Sequence, residues 1–138
     1  MKRAALILLL TATVAQAETH EVKMLNRNDQ GPMIYEPQHL TIAAGDTVRF
    51  LPTQPGHNAA TIDGMIPKGA EPWKSKINQE FEVTLTVPGR YGIKCSPHYA
   101  MGMVMVIDVG EGAAAEIPAE MPPRAKERFD AILAGQQP

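Results

Sequence analysis

Residues 79–87 alternate without a break: Phe81, Val83, Leu85 and Val87 fall on one side, Glu80, Glu82, Thr84 and Thr86 on the other. A period of two means extended chain with one face buried and one face wet, and it is incompatible with a helical stripe. Shorter β-prone runs occupy residues 20–25, 39–43, 47–51, 90–95 and 103–109, with Tyr91, Ile93 and Cys95 sharing one face. Turn signals punctuate them: a polar stretch at 26–31, Gly45-Asp46 and Pro88-Gly89. Short strands at this spacing predict an all-β chain folded as an antiparallel β-sandwich.

Two segments break the pattern. Residues 52–77 are rich in Pro, Gly and Lys and contain the sole tryptophan, Trp73. They read as a long connection with one helical turn, of a length that is usually functional or tied down. The end of the chain changes period. Pro122-Pro123 sets a helix start, Ala125, Phe129, Ile132 and Leu133 recur at helical spacing, and Gly135 provides a stop. With a shorter helix at 113–119, the tail at about 113–135 reads as a pair of α-helices packed on the sandwich.

At 138 residues the chain has room for one domain. Lys2 and Arg3, an apolar run over 4–14 and the small-x-small triplet Ala15-Gln16-Ala17 have the layout of a secretory signal peptide. The expectation is cleavage after residue 17, leaving a domain at 18–138 in the periplasm. The apolar run is too short for a spanning helix, so the mature form is expected off the membrane. Losing Lys2 and Arg3 leaves eleven basic residues against fifteen acidic, a net charge of −4. No basic run remains to follow a phosphate backbone, which argues against nucleic-acid binding. Lys68, Lys74, Lys76 and Lys94 nevertheless gather in the middle of the chain, and acidic residues toward its ends.

Cys95 is the only cysteine, so no internal disulfide can form. A free thiol in an oxidising compartment is tolerable when buried or bound to a metal. Its neighbours favour the metal. In Cys95-Ser96-Pro97-His98-Tyr99-Ala100-Met101-Gly102-Met103 a thiol, an imidazole and a thioether fall within one short loop between two strands. Thiolate and imidazole suit zinc, copper or iron, whereas a thioether is a poor zinc ligand and suits copper. Two imidazoles and a thiolate with a weak axial methionine define a blue-copper electron-transfer site. The second imidazole must come from His20, His39 or His57. His57 is preferred because Pro55-Gly56-His57-Asn58 is a turn after a strand, where loops build sites, while His20 and His39 lie at strand starts. Met101 and Met103, two residues apart, could both reach such a metal by proximity.

The ligand loop from Lys94 to Met103 closely resembles that of the pseudoazurins, a family of cupredoxins. So do Pro55-Gly56-His57-Asn58, Lys74-Ser75-Lys76-Ile77-Asn78, Met24-Leu25-Asn26 and the helical tail. The resemblance spans nearly the whole of residues 18–138. It implies an eight-stranded Greek-key sandwich with one type 1 copper near one end. His57, Cys95 and His98 would be strong ligands and Met103 the axial one. It gives Asn58 a backbone N–H aimed at the cysteine sulfur and a side chain tying two loops. It sets Met33 near the exposed ligand histidine, and Pro97 in the loop that shapes that histidine's surroundings. Ser96 stands where threonine is usual in the family, and Pro55 where it often has lysine; the latter thins a basic ring without touching the ligands. The resemblance further implies a monomeric electron carrier serving a copper nitrite reductase or a c-type cytochrome. Two other readings use the same residues: a copper storage or chaperone protein, and a thiol enzyme with Cys95 as nucleophile and His98 or His57 as base.

Overall fold

The computed structural model describes residues 15–111, 118 and 120–135. Most of the expected signal segment, residues 1–14, therefore lies outside the described residues, as does the expected helix at 113–119 apart from Pro118, which is not helical. Among the described residues, eight strands follow in order: β1 Thr19–Asn28, β2 Gly31–Glu36, β3 His39–Ile42, β4 Thr47–Leu51, β5 Ala60–Thr61, β6 Phe81–Thr84, β7 Gly89–Lys94 and β8 Val104–Val109. They form two four-stranded sheets, ordered β2-β1-β4-β6 and β3-β8-β7-β5. No described helix is long and apolar enough to cross a membrane.

The sandwich is mixed rather than purely antiparallel. β1 runs parallel to β4, with Thr19 opposite Thr47 and Lys23 opposite Leu51, and β3 runs parallel to β8. The cause is connectivity. Between β1 and β4 the chain visits the second sheet as β3, and it returns through the Gly45-Asp46 turn beside β1. Parallel neighbours need such a crossover, whereas hairpin neighbours do not. Periodicity reports which face a strand buries but not its direction. The alternating run at 79–87 pairs as a strand only over Phe81–Thr84. Beyond it the backbone of Leu85 bonds the Gly45-Asp46 turn, at 2.8 Å from Gly45 N–H and 3.0 Å to the Asp46 carbonyl. Two strands escaped the sequence reading: β5 lies within the stretch read as a connection, and β2 begins at Gly31-Pro32 and holds Met33 at φ 48°, so its alternation is broken.

Val22, Met24, Tyr35, Val48 and Phe50 from one sheet meet Ile42, Tyr91, Ile93, Met105, Ile107 and Val109 from the other, and Cys95 and Met103 close the same core. The connection at 52–77 has no helical turn among its described residues. Its prolines remove donors a helix would need. It is held instead by β5, by a bridge between Ala60 and Lys74, and by Trp73 packed on Phe50 at 5.7 Å and Phe81 at 5.4 Å.

Among the described residues there is one α-helix, α1 Pro123–Leu133. Pro123 occupies the first turn, where its missing N–H costs nothing, and Gly135 takes up φ 72° past the end. Ala125, Phe129 and Ile132 are buried against Val104, Val106, Ile62 and Met65 as a second, smaller core. β8 therefore buries both faces, which is why residues 103–107 are continuously apolar instead of alternating.

Candidate metal centre

The loop between β7 and β8 is a closed device. Cys95 leaves the strand in an extended conformation, Ser96–Met101 forms a short 3-10 turn with Pro97 at its start, and Gly102 ends it at φ 89°. His98 N–H donates to the Cys95 carbonyl (3.1 Å), Gly102 N–H to Tyr99 (3.0 Å) and Met103 N–H to His98 (3.1 Å). Cys95 N–H then donates to the Met103 carbonyl at 3.0 Å, setting the two sulfur residues across from each other at the loop's base. Both are fully buried.

His57 arrives from the connection after β4, behind Gly56 at φ 97°. Gly56 N–H donates to Asn78 Oδ1 (2.6 Å), and Asn78 N–H returns to the His57 carbonyl (3.0 Å). His57 Nδ1 lies 3.1 Å from His98 Nδ1. Cys95 Sγ lies 3.7 Å from the first nitrogen and 3.5 Å from the second. His57 Nε2 bonds Asn26 Oδ1 at 2.7 Å. A carboxamide oxygen only accepts, so Nε2 carries the proton and Nδ1 presents its lone pair to His98 and the sulfur. Burial, and then the neighbouring His98, push the pKa of His57 down, favouring the neutral ring that a metal requires.

Of the three histidine candidates, His57 alone joins this cluster. His20 Nε2 bonds Asp46 at 2.9 Å, and His39 Nε2 bonds Asp108 at 2.8 Å, an acid also gripped by Arg90 at 2.7 and 2.9 Å. Met103 is buried in the core that holds Cys95, whereas Met101 is 40% exposed. His98 is partly exposed, Pro97 exposed, and Met33 half-buried against the core.

Asn58, 1% exposed, joins three chain segments. Its Oδ1 accepts from Ser96 N–H at 2.7 Å, and its Nδ2 donates to the Ser75 carbonyl (3.1 Å) and Ser96 Oγ (3.2 Å). Ser75 Oγ in turn accepts from Ala59 N–H at 2.9 Å. Burial raises the Cys95 thiol, while hydrogen bonds from the backbone of Asn58 and of His98 pull it down. Asn26 and Tyr35 are among the contributors to which the sequence alone assigns no role. Asn26 fixes the His57 ring, and Tyr35 donates its buried hydroxyl to the Asn58 carbonyl at 2.7 Å. Neither has a local signature, because each acts across the sandwich.

Two imidazole nitrogens and a thiol converge, with their ligand atoms all within 4.8 Å of one another, and a buried thioether residue adjoins them. This donor set fits copper: zinc would leave the thioether without a purpose, and hard cations would want oxygen. His57, Cys95, His98 and Met103 lie together as in a type 1 copper site. A family model for copper binding proteins of the plastocyanin/azurin family matches residues 22–110, so fold and site together define a copper-binding protein of that class. The match narrows further. A pseudoazurin from Paracoccus pantotrophus is 46% identical over 134 residues, covering 95% of this chain and 92% of the relative. The crystal structure of pseudoazurin from Methylobacterium extorquens AM1 superposes with a TM-score of 0.81 at 38% identity, over 86% of this chain and 99% of that one. That of pseudoazurin from Hyphomicrobium denitrificans gives 0.75 at 34% identity, over 85% and 97%. The chain belongs to the pseudoazurins.

Proposed function

We propose that this protein is a one-electron carrier of the periplasm, reached through removal of residues 1–17, with His57, Cys95 and His98 as strong copper ligands and Met103 as the axial one. The observation that carries the reading is the mutual approach of His57 Nδ1, His98 Nδ1 and Cys95 Sγ at 3.1–3.7 Å, with buried Met103 beside them. Copper bound there supplies a Cu(I)/Cu(II) couple. The chain's own part is to keep the ligands still in both states: Asn26 holds one ring, Asn58 ties one ligand loop to the other, and two sheets anchor both. Complete burial of Cys95 supports a ligand over a nucleophile, which needs access to its substrate. A visible spectrum with stoichiometric Cu(II) tests this. An intense thiolate-to-copper band, bleached by a mild reductant and restored by oxidation, is the expected result. A colourless product from folded protein with reduced Cys95 overturns it.

Electrons would pass at His98, the partly exposed ligand, flanked by exposed Pro97 and Met101. The partner would be a redox enzyme such as a copper nitrite reductase, or a c-type cytochrome, meeting a monomer through a small transient interface. Lys68, Lys74 and Lys76 are exposed, Lys74 and Lys94 line one cleft, and the Lys94 ammonium lies 5.1 Å above the Tyr99 ring. Asp63 lines that cleft too and dilutes its charge. If these lysines steer an acidic partner, the bimolecular transfer rate falls by about tenfold as salt rises from low to near-molar concentration. Stopped-flow traces at a series of ionic strengths decide it, and a flat profile removes the steering.

A further inference from the structure

Outside the ligand set, α1 touches the surroundings of the metal loop at two points. Arg128 donates from Nη1 to the Met33 carbonyl at 2.9 Å and from Nη2 to the Pro32 carbonyl at 3.2 Å. One turn earlier on the same helix face, the Arg124 carbonyl seats against Gly102: a Cβ built there would lie 2.9 Å from that oxygen and 3.2 Å from its carbon. Gly102 immediately precedes Met103 and is itself left-handed at φ 89°. Pro32, Met101, Arg124 and Arg128 all line one cleft of 320 Å³, where the β1–β2 hairpin, the metal loop and the helix meet.

Neither contact is needed to bury α1, whose apolar residues Ala125, Phe129 and Ile132 face the second core. Both fall instead on backbone in an uncommon conformation. Met33 is a non-glycine residue at φ 48°, which persists only where its surroundings hold it, and it packs on the core that contains Cys95 and Met103. Close seating of backbone on backbone at Gly102 leaves no room for the loop to shift toward the helix.

We infer that α1 is a brace for the metal loop, in which Arg128 holds the Pro32-Met33 backbone and the Arg124 carbonyl seats Gly102, so that the helix sets where the loop delivers Met103. The role of Met103 in this inference rests on the copper reading above. Arg128 is a positioning residue, separated from the ligands by Met33 and the loop. Loops held at both ends transmit small displacements to their ligands, and residues that orient ligands are worth about 10- to 100-fold in metal affinity.

The test compares Arg128→Ala and Arg128→Lys with the parent protein in three readouts: the relative intensities of the visible copper bands, copper affinity by chelator competition, and amide exchange of Gly102 and Met103 in the metal-free protein. Arg128→Ala is expected to change the band ratio, to weaken copper by about tenfold, and to speed exchange at Gly102 and Met103 relative to the amides pairing β1 with β4. Arg128→Lys, which keeps the charge and can reach one carbonyl, should recover part of each. A lower Tm with band ratio, affinity and relative exchange all unchanged overturns the brace and leaves α1 as a cover. If Arg128→Ala does not fold, Arg128→Lys decides by the same readouts, and parental values overturn the inference. Absence of a blue band in the parent would sink the copper reading alone, since the exchange comparison is made without metal.

Discussion

Replacing Cys95 by serine is expected to abolish the visible charge-transfer band while leaving the metal-free protein folded. The band requires a thiolate bonded to Cu(II), and a serine hydroxyl neither ionises near neutrality nor offers a soft donor. The change is nearly isosteric at a fully buried position. A buried hydroxyl needs a partner, and the two imidazole nitrogens now at 3.7 and 3.5 Å from the sulfur are close enough to supply one after a small shift. The cost to the metal-free fold is therefore about 1 kcal/mol, as for one rearranged hydrogen bond. The cost to copper binding is far larger, since on the proposed ligand set the thiolate is gone. Titration with Cu(II), followed by absorbance, and thermal unfolding of both metal-free proteins separate the two effects. A retained blue band in Cys95→Ser would mean that the sulfur ligand is not Cys95. Collapse of the metal-free fold would mean that the thiol is chiefly a core residue.

How much of this could be read from the chain follows from where each contact lies along it. Cys95, His98 and Met103 are legible because their convergence is local: a strand, a proline-started turn and a glycine close the loop on itself through four backbone bonds. His57 is one of three candidates for the second imidazole, and what separates it from His20 and His39 is the acid beside each of the others, Asp46 at 26 residues' distance and Asp108 at 69. No local pattern encodes those pairings. Asn26 sits in β1 and reads as the start of a turn, yet it sets the tautomer of a ring 31 residues away. Strand faces were visible, because burial imposes a period of two. Strand directions were not, because the parallel pairs β1–β4 and β3–β8 are products of crossovers. The family resemblance carried the ligand set beyond what spacing allowed. It gave no reason for the contact between Arg124 and Gly102, which exists only once the tail has docked.

Asn58→Ala should be the most costly change outside the ligands. Its side chain satisfies Ser96 N–H at 2.7 Å and the Ser75 carbonyl at 3.1 Å, and it donates to Ser96 Oγ at 3.2 Å, all in a site from which it exposes 1% of its surface. Truncation strands these groups together, and each buried unsatisfied group costs about 1–3 kcal/mol. Partial relaxation toward water at half-buried Ser96 reduces the sum, so the expected loss is about 3 kcal/mol in the metal-free protein. The loop carrying Cys95 and His98 also loses its tie to the loop carrying His57, so copper affinity should fall by about 10- to 100-fold. Asn58→Asp separates these consequences. It keeps an acceptor for Ser96 N–H but removes both donors and places a carboxylate where burial opposes charge. Stability should fall as in the alanine variant, while copper binding stays nearer the parent because the bond joining the loops survives. Denaturant unfolding and chelator competition on the two variants measure both quantities. Equal affinity losses would show that the Ser96 bond is not what aligns the loops. An unchanged affinity in Asn58→Ala would show that the two sheets alone hold the ligands in place.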